Sequence, residues 1–314
     1  MNILENPIVS VLVPVFNTRN CIEKCAISLF EQDFSDNSVE YIFINDSSTD
    51  DSVEILHGII NKYSRLKSQI RIINHPFNQG LATARNTAIE NAAGKYILHV
   101  DSDDFLDVEC LRLLIINAKE NNSDIVFCDY YEYYSDEKCM LRKRYLKKKS
   151  YYLHQILSFS MSPSIWGTLI KKSLYIKNNI MAINGVNYGE DYSVITRLIY
   201  NANVVTKVEK PLYYYRLNNP HSYMNQKKIE IQIEQTILAY KVVFDYFQFQ
   251  REYLYSLLVG AIRLNRTFFE LNNENGNDLF DMFYKRSILF KIILGPKLFR
   301  DVLSKCHSLI YKRK

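Results

Sequence analysis

The sequence predicts an α/β fold: a mainly parallel sheet flanked by helices, followed by a helical C-terminal region. Three observations carry that expectation. Short β-branched or aliphatic runs recur along the first part of the chain. Amphipathic segments of helical period separate them, the pattern of right-handed βαβ units. Polar residues gather where the apolar runs end, and in a parallel sheet that edge is where ligands bind.

The elements follow in order. Residues 9–15 form the first strand-like run, which ends at Pro14 and Asn17. Residues 21–31 then place Ile22, Cys25, Ala26, Leu29 and Phe30 on one helical face. A second run at 41–44 stops at Asn45-Asp46-Ser47-Ser48-Thr49-Asp50, and the next helix turns Val53, Leu56, Ile59 and Ile60 inward. A third run, 70–73, precedes a helix over 81–93, with Gly94 expected as its left-handed C-cap. The fourth run, 96–100, ends in Asp101-Ser102-Asp103-Asp104, and a helix at 108–120 and a strand at 124–128 complete the series. Beyond 129 the pattern loosens. Tyr130 to Tyr134 is aromatic, and six basic residues crowd positions 142–149, read as a solvated loop or as a face toward a phosphate-rich acceptor. Short elements around Trp166, a helix at 192–201, strands at 204–205 and 213–215, and helix over 223–314 finish the chain. The expected division is a domain at 1–220, with a nucleotide half to about 128 and an acceptor half from 129, then a basic helical region at 221–314.

Composition narrows the function. With 314 residues, 47% hydrophobic and 23% charged, the chain can bury a core, which excludes intrinsic disorder. No apolar stretch reaches the ~18 residues of a membrane span, and the first residues lack a secretory signal, so a cytoplasmic location is expected. The six cysteines include no Cys-x-x-Cys pair and are expected to be reduced thiols rather than zinc ligands. Residues 284–314 hold nine basic residues and one acid, leaving 30 basic and 33 acidic residues for the body. A slightly acidic body argues against nucleic acid as a partner. The basic, apolar tail suits the surface of an anionic membrane, or a helical pair docked on the body. Nine glycines and the absence of Gly-x-Gly-x-x-Gly or Gly-x-x-x-x-Gly-Lys-Ser/Thr exclude a dehydrogenase and a P-loop NTPase.

The acid cluster at 101–104 points to metal. Three carboxylates within four residues repel one another, and a divalent cation such as Mn2+ or Mg2+ removes that cost while keeping positions open for phosphate oxygens.

Read together, Ser10-Val11-Leu12-Val13-Pro14-Val15-Phe16-Asn17, Asn45 to Asp50, Asn78-Gln79-Gly80-Leu81-Ala82-Thr83-Ala84-Arg85-Asn86 and Asp101 to Asp104 resemble the ordered motifs of glycosyltransferase family 2. Ser164-Ile165-Trp166-Gly167-Thr168-Leu169 and Gly189-Glu190-Asp191 resemble segments of its bacterial members, so the likeness covers about 8–220. The resemblance implies a GT-A (Rossmann-like) fold, a nucleotide-sugar donor, a divalent metal, and transfer with inversion to a glycan or lipid-linked saccharide. It gives Pro14, Val15, Phe16 and Asn17 a place along the nucleoside, and Asp46 a hydrogen bond from the base, typically uracil. Ser47 stands where the family usually has glycine. Arg85, Asp101 and Ser102 would hold the donor, Asp103 with Asp101 would bind the metal, and Asp104 is a further candidate. Asp191 would be the general base, with Glu190 beside it. Trp166 stacks on a sugar or packs in the core, and Arg216 and His221 are candidates for diphosphate or metal contacts. Two other readings stay open: a degenerate, membrane-attached scaffold, and a sugar nucleotidyltransferase, for which the expected glycine-containing phosphate loop is missing.

Overall fold

The computed structural model describes residues 7–34, 38–136, 138–144, 148–217 and 229–272. Among these, the elements run β1 (Val9–Val15), α1 (Ile22–Phe30), β2 (Val39–Asn45), α2 (Ser52–Lys62), β3 (Ile70–Asn74), α3 (Leu81–Asn91), β4 (Tyr96–His99), β5 (Phe105–Leu106) and α4 (Cys110–Glu120). They continue with β6 (Ile125–Ser135), β7 (Lys138–Arg142), α5 (Lys149–Leu157), β8 (Leu169–Lys171), α6 (Lys172–Lys177), α7 (Glu190–Asn201), β9 (Val205–Arg216), α8 (Ile229–Phe247) and α9 (Leu254–Asn272).

One sheet carries all nine strands, in the order β3-β2-β1-β4-β8-β6-β9-β5, with β7 paired to the outer part of β6. β1, β2, β3 and β4 pair in parallel, as continuous apolar runs joined by helices require. β8 lies antiparallel between β4 and β6, so it joins the early βαβ series to the later strands. Both faces of the sheet are buried. Val11, Val13 and Phe43 face a core with α1, α2 and α4, while Leu12, Ile42 and Ile97 face one with α3, α5 and α7. Helices α8 and α9 dock on α7 and α5. The Tyr240 hydroxyl donates to the Leu257 carbonyl at 2.7 Å, and His154 Nδ1 meets Ser256 Oγ at 2.8 Å.

Three expectations are corrected. Helix α3 ends at Asn91 with an extended cap residue, Ala92, and Gly94 is absent from the positive-φ positions. Glycine is required there by crowding, since a Cβ would lie 2.6 Å from both Ser10 N and Ser10 Oγ. The separate strands expected at 204–205 and 213–215 are one long strand, β9. The basic run at 142–149 is not wholly solvated, because Arg144 is buried at 4% exposure. The four cysteines Cys21, Cys25, Cys110 and Cys128 are buried free thiols, and Cys139 is an exposed one. No helix among the described residues is long and apolar enough to cross a membrane. The basic stretch at 284–314 lies outside the described residues.

Candidate active site

The carboxyl ends of β1, β2 and β4 build a shelf. At the end of β1, Asn17 takes a left-handed φ of 53° and its side chain reaches the turn after β2. Its Oδ1 accepts from the Thr49 N–H at 2.8 Å, and its own N–H donates to Ser48 Oγ at 3.2 Å. Ser47 adopts φ 61°, so the turn keeps the left-handed geometry for which glycine is suited, at a steric cost. Phe16 stands 42% exposed beside this shelf.

Asp46, expected to accept from a base, directly follows β2. It is buried, and its carboxylate accepts from His75 Nδ1 at 2.7 Å, Gln79 N at 2.9 Å and Gly80 N at 2.8 Å. Those donors make it the anchor of the loop that leads into α3. Gly80 (φ 88°) is packed so closely that a Cβ would overlap the Asn187 side chain. Asn187 Oδ1 accepts from Ala82 N at 3.0 Å, and its N–H donates to Gln235 Oε1 on α8 at 2.8 Å.

Arg85 is the hub. Its side chain is 5% exposed and its guanidinium is engaged by three carboxylates. Nη2 donates to Asp101 Oδ1 at 2.8 Å, while Nη1 donates to Glu190 Oε1 at 2.8 Å and to Asp191 Oδ1. Arg85 therefore ties the end of β4 to the start of α7. Burial pushes the Asp191 carboxyl above its ordinary range, opposed by Arg85 and by the Ile165 N–H, which donates to Asp191 Oδ2 at 3.2 Å. Burial, then the neighbouring Asp191, pushes Glu190 up to about 8. Behind the hub, His99 Nε2 meets the Tyr175 hydroxyl at 2.9 Å, and burial followed by the Arg85 charge holds His99 down to about 3, hence neutral. Arg85 and His99 line one small cavity with Ile165, Glu190 and Asp191.

The 101–104 turn divides its roles. Asp104 is buried and accepts from the Tyr213 hydroxyl and from Arg216 N, each at 2.7 Å, and burial, then Asp103 and Asp101, pushes its carboxyl well above the ordinary range. That engagement fastens the turn to β9. Ser102 is buried too. Asp101 and Asp103 remain part-exposed, and Arg216 Nε donates to the Asp103 carbonyl at 2.8 Å with its guanidinium over the Tyr133 ring. Among the described residues no three His, Cys, Asp or Glu side chains form a ready metal cluster. Two hard carboxylates fit an ion that keeps most of its ligands as water or phosphate oxygen. Trp166 packs instead of presenting a face: it stacks on Tyr213 at 4.6 Å and on Tyr215 at 5.1 Å and is 8% exposed. His221 lies outside the described residues.

The profile of glycosyl transferase family 2 matches residues 10–177, more than half of the chain. The chain belongs to glycosyltransferase family 2. It is 31% identical over 226 residues to the uncharacterized glycosyltransferase EpsJ of Bacillus subtilis, covering 69% of this chain and 62% of that one. Glycosyltransferase GlyA of Streptococcus pneumoniae is 29% identical over 222 residues, 67% of this chain and 30% of that one. The matches thus span less than two thirds of these relatives' length. In fold the chain is similar to S. aureus TarS 1–349, solved in complex with UDP-GlcNAc, with a TM-score of 0.65 and 22% identity over 97% of this chain and 82% of that one. It is also similar to the mannosyltransferase PcManGT of Pyrobaculum calidifontis, solved with GDP-Man and Mn2+, with a TM-score of 0.53 and 14% identity over 99% and 89% of the two chains. The family profile ends at 177, so Glu190 and Asp191 fall outside it.

Four contributors escaped the sequence reading: Asn187, Gln235, His99 and Arg144. Each acts on partners distant in sequence, and for His99 alone was there a local signal, a polar residue inside an apolar strand.

Proposed function

We propose that this family member is an inverting transferase that moves a sugar from a nucleotide diphosphate donor, UDP-linked, to a hydroxyl of a glycan or lipid-linked glycan. The observation that carries the reading is the Arg85 hub, which brings the strand-end carboxylate Asp101 and the helix-start carboxylate Asp191 onto one guanidinium. A donor side and an acceptor side then meet within a few ångströms, as in-line displacement needs. The UDP-GlcNAc complex of TarS supports the choice of nucleotide.

In this mechanism the nucleoside lies along Pro14 to Asn17, on the shelf completed by the loop that Asp46 anchors. Asp101 and Asp103 are the residues that would hold Mn2+ or Mg2+, an ion that supplies neutralisation of charge on the departing diphosphate. Asp191 takes the acceptor hydroxyl proton as the oxygen bonds to the anomeric carbon, and the donor bond's electrons leave with the nucleoside diphosphate. Burial raises the proton affinity of Asp191, which makes it a stronger base than an ordinary carboxylate, and the Arg85 charge opposes that rise. Burial and the neighbouring Asp191 raise the proton affinity of Glu190, which lessens the negative charge that the pair carries. The basic stretch at 284–314 would hold the enzyme on the anionic inner face of the membrane, beside a lipid-linked acceptor.

The experiment is nucleoside diphosphate release from a panel of nucleotide sugars with Mn2+ or Mg2+, for the full chain and for Asp191→Asn. We expect release from a UDP-sugar and a loss of roughly 10²–10⁴-fold in the variant with donor affinity retained. Release by neither protein from any donor overturns the reading, and loss of donor binding in Asp191→Asn overturns the role of the base.

A further inference from the structure

Arg144 is a buried arginine whose guanidinium donates only to neutral acceptors. It follows the β6–β7 hairpin, where its backbone N–H donates to Asp129 Oδ1 at 2.7 Å, and Asp129 is in turn paired with Lys207. The guanidinium sits over Trp166 at 4.9 Å and over Phe127 and Tyr130, each at 5.5 Å. Its fork reaches a single segment: Nη1 donates to Thr168 Oγ1 at 2.9 Å, and Nη2 to Ser164 Oγ at 2.8 Å and the Trp166 carbonyl at 3.0 Å. Burying a cation with no carboxylate partner is costly. Three rings and three oxygens offset that cost here.

The segment so held touches both sides of the reaction centre. The Ile165 N–H donates to Asp191, and Gly167 N donates to the His99 carbonyl at 3.1 Å. The Trp166 ring lies on Tyr213, whose hydroxyl accepts from Asp101 N and donates to Asp104. Gly167, at φ 62° and pressed against the Tyr213 ring, leaves the segment little space for another course.

We propose that Arg144 is a positioning residue for the transfer. It holds 164–168 in the conformation that sets the Ile165 N–H on Asp191 and Trp166 on Tyr213. This rests on the proposed role of Asp191 and goes beyond it, since a residue from the hairpin of the acceptor side then governs the geometry of the base.

The test uses the full chain with Arg144→Lys, Ser164→Ala and the double variant. Lysine keeps the charge above the rings, but a single ammonium lacks the fork that spans Ser164, Trp166 and Thr168. Trp166 is the only tryptophan, so its emission and its quenching by acrylamide read the segment directly, without substrate. In Arg144→Lys the emission moves to the red and quenching rises, while far-ultraviolet dichroism is unchanged. Turnover falls about 10²-fold at constant donor KM, the size expected of a slight misplacement of the reacting groups. Ser164→Ala moves the same signals less, and the double variant is no worse than Arg144→Lys, as two members of one network should behave. Unchanged emission in Arg144→Lys, or shifted emission with unchanged turnover, overturns the proposal, as does full additivity of the two substitutions. Wild-type protein that releases nucleoside diphosphate from no nucleotide sugar overturns the functional reading instead, an outcome separate from the emission result.

Discussion

Replacing Arg85 by methionine is the sharpest probe of the hub, because it keeps an unbranched apolar stem and removes the guanidinium with its charge and donors. The side chain is 5% exposed, and its partners Asp101, Glu190 and Asp191 are 23%, 9% and 18% exposed, so solvent screens the interactions weakly. Removing one partner of a buried ion pair costs about 3–5 kcal/mol, since the other charge is left uncompensated. The sign with pH follows from proton affinity. Arg85 lowers the proton affinity of Asp191 and Glu190, so its loss raises both further above their unfolded values. Each unit of that rise is worth about 1.4 kcal/mol of stability once the unfolded carboxylate ionises. The penalty is therefore smallest toward pH 4, where proton uptake relieves the carboxyls, and it grows as pH rises through about 8 toward the variant's own higher folded-state value. Urea unfolding of wild type and Arg85→Met across that range measures it. A penalty equal at both ends, or one that grows toward acid, would refute an electrostatic role for Arg85.

Other expectations follow from single positions. Glu190 titrates higher folded than unfolded, so its contribution to stability is complete below about 4.5 and disappears as pH rises through about 8; Glu190→Gln should flatten the wild-type stability profile between those limits. Gly94→Ala should cost about 1–3 kcal/mol in chemical unfolding, because β1 backbone stands in its way together with the Ser10 hydroxyl. Gly58→Ala, in the middle of α2 with open space around it, should instead stabilise by about 0.5–1 kcal/mol. Ser47→Gly relieves a left-handed residue, and the thermal midpoint should rise by an amount equivalent to at most about 1 kcal/mol.

What the sequence disclosed was whatever local pattern encodes. Strands such as Val9–Val15 and helices such as Ile22–Phe30 are apolar runs and stripes, legible within a few residues, and so were the polar groups at their ends. Arg85 was legible as a candidate but not as a hub, because two of its partners lie 105 and 106 residues away. Asp46 reads locally as a free acid at a strand end, and only the returning loop at 75–80 shows that its oxygens are taken. Arg144 was hidden by its basic neighbours, since nothing within 142–149 records the aromatic box that receives it. Gly94 was assigned to a cap because helix ends favour glycine, whereas the reason for it is a neighbouring strand.

Three residues, Leu169–Lys171, make β8, and they lie between β4 and β6 of the same sheet. The strand that closes the gap beside the nucleotide-side strands thus comes from later in the chain than the strand on its far side. A recombinant that joined residues 1–136 of this chain to the remainder of a relative would leave β4 and β6 facing each other across an empty lane until the incoming segment delivered its own β8. A swap with its breakpoint before Leu169 must therefore carry with it a filler strand that fits both β4 and β6.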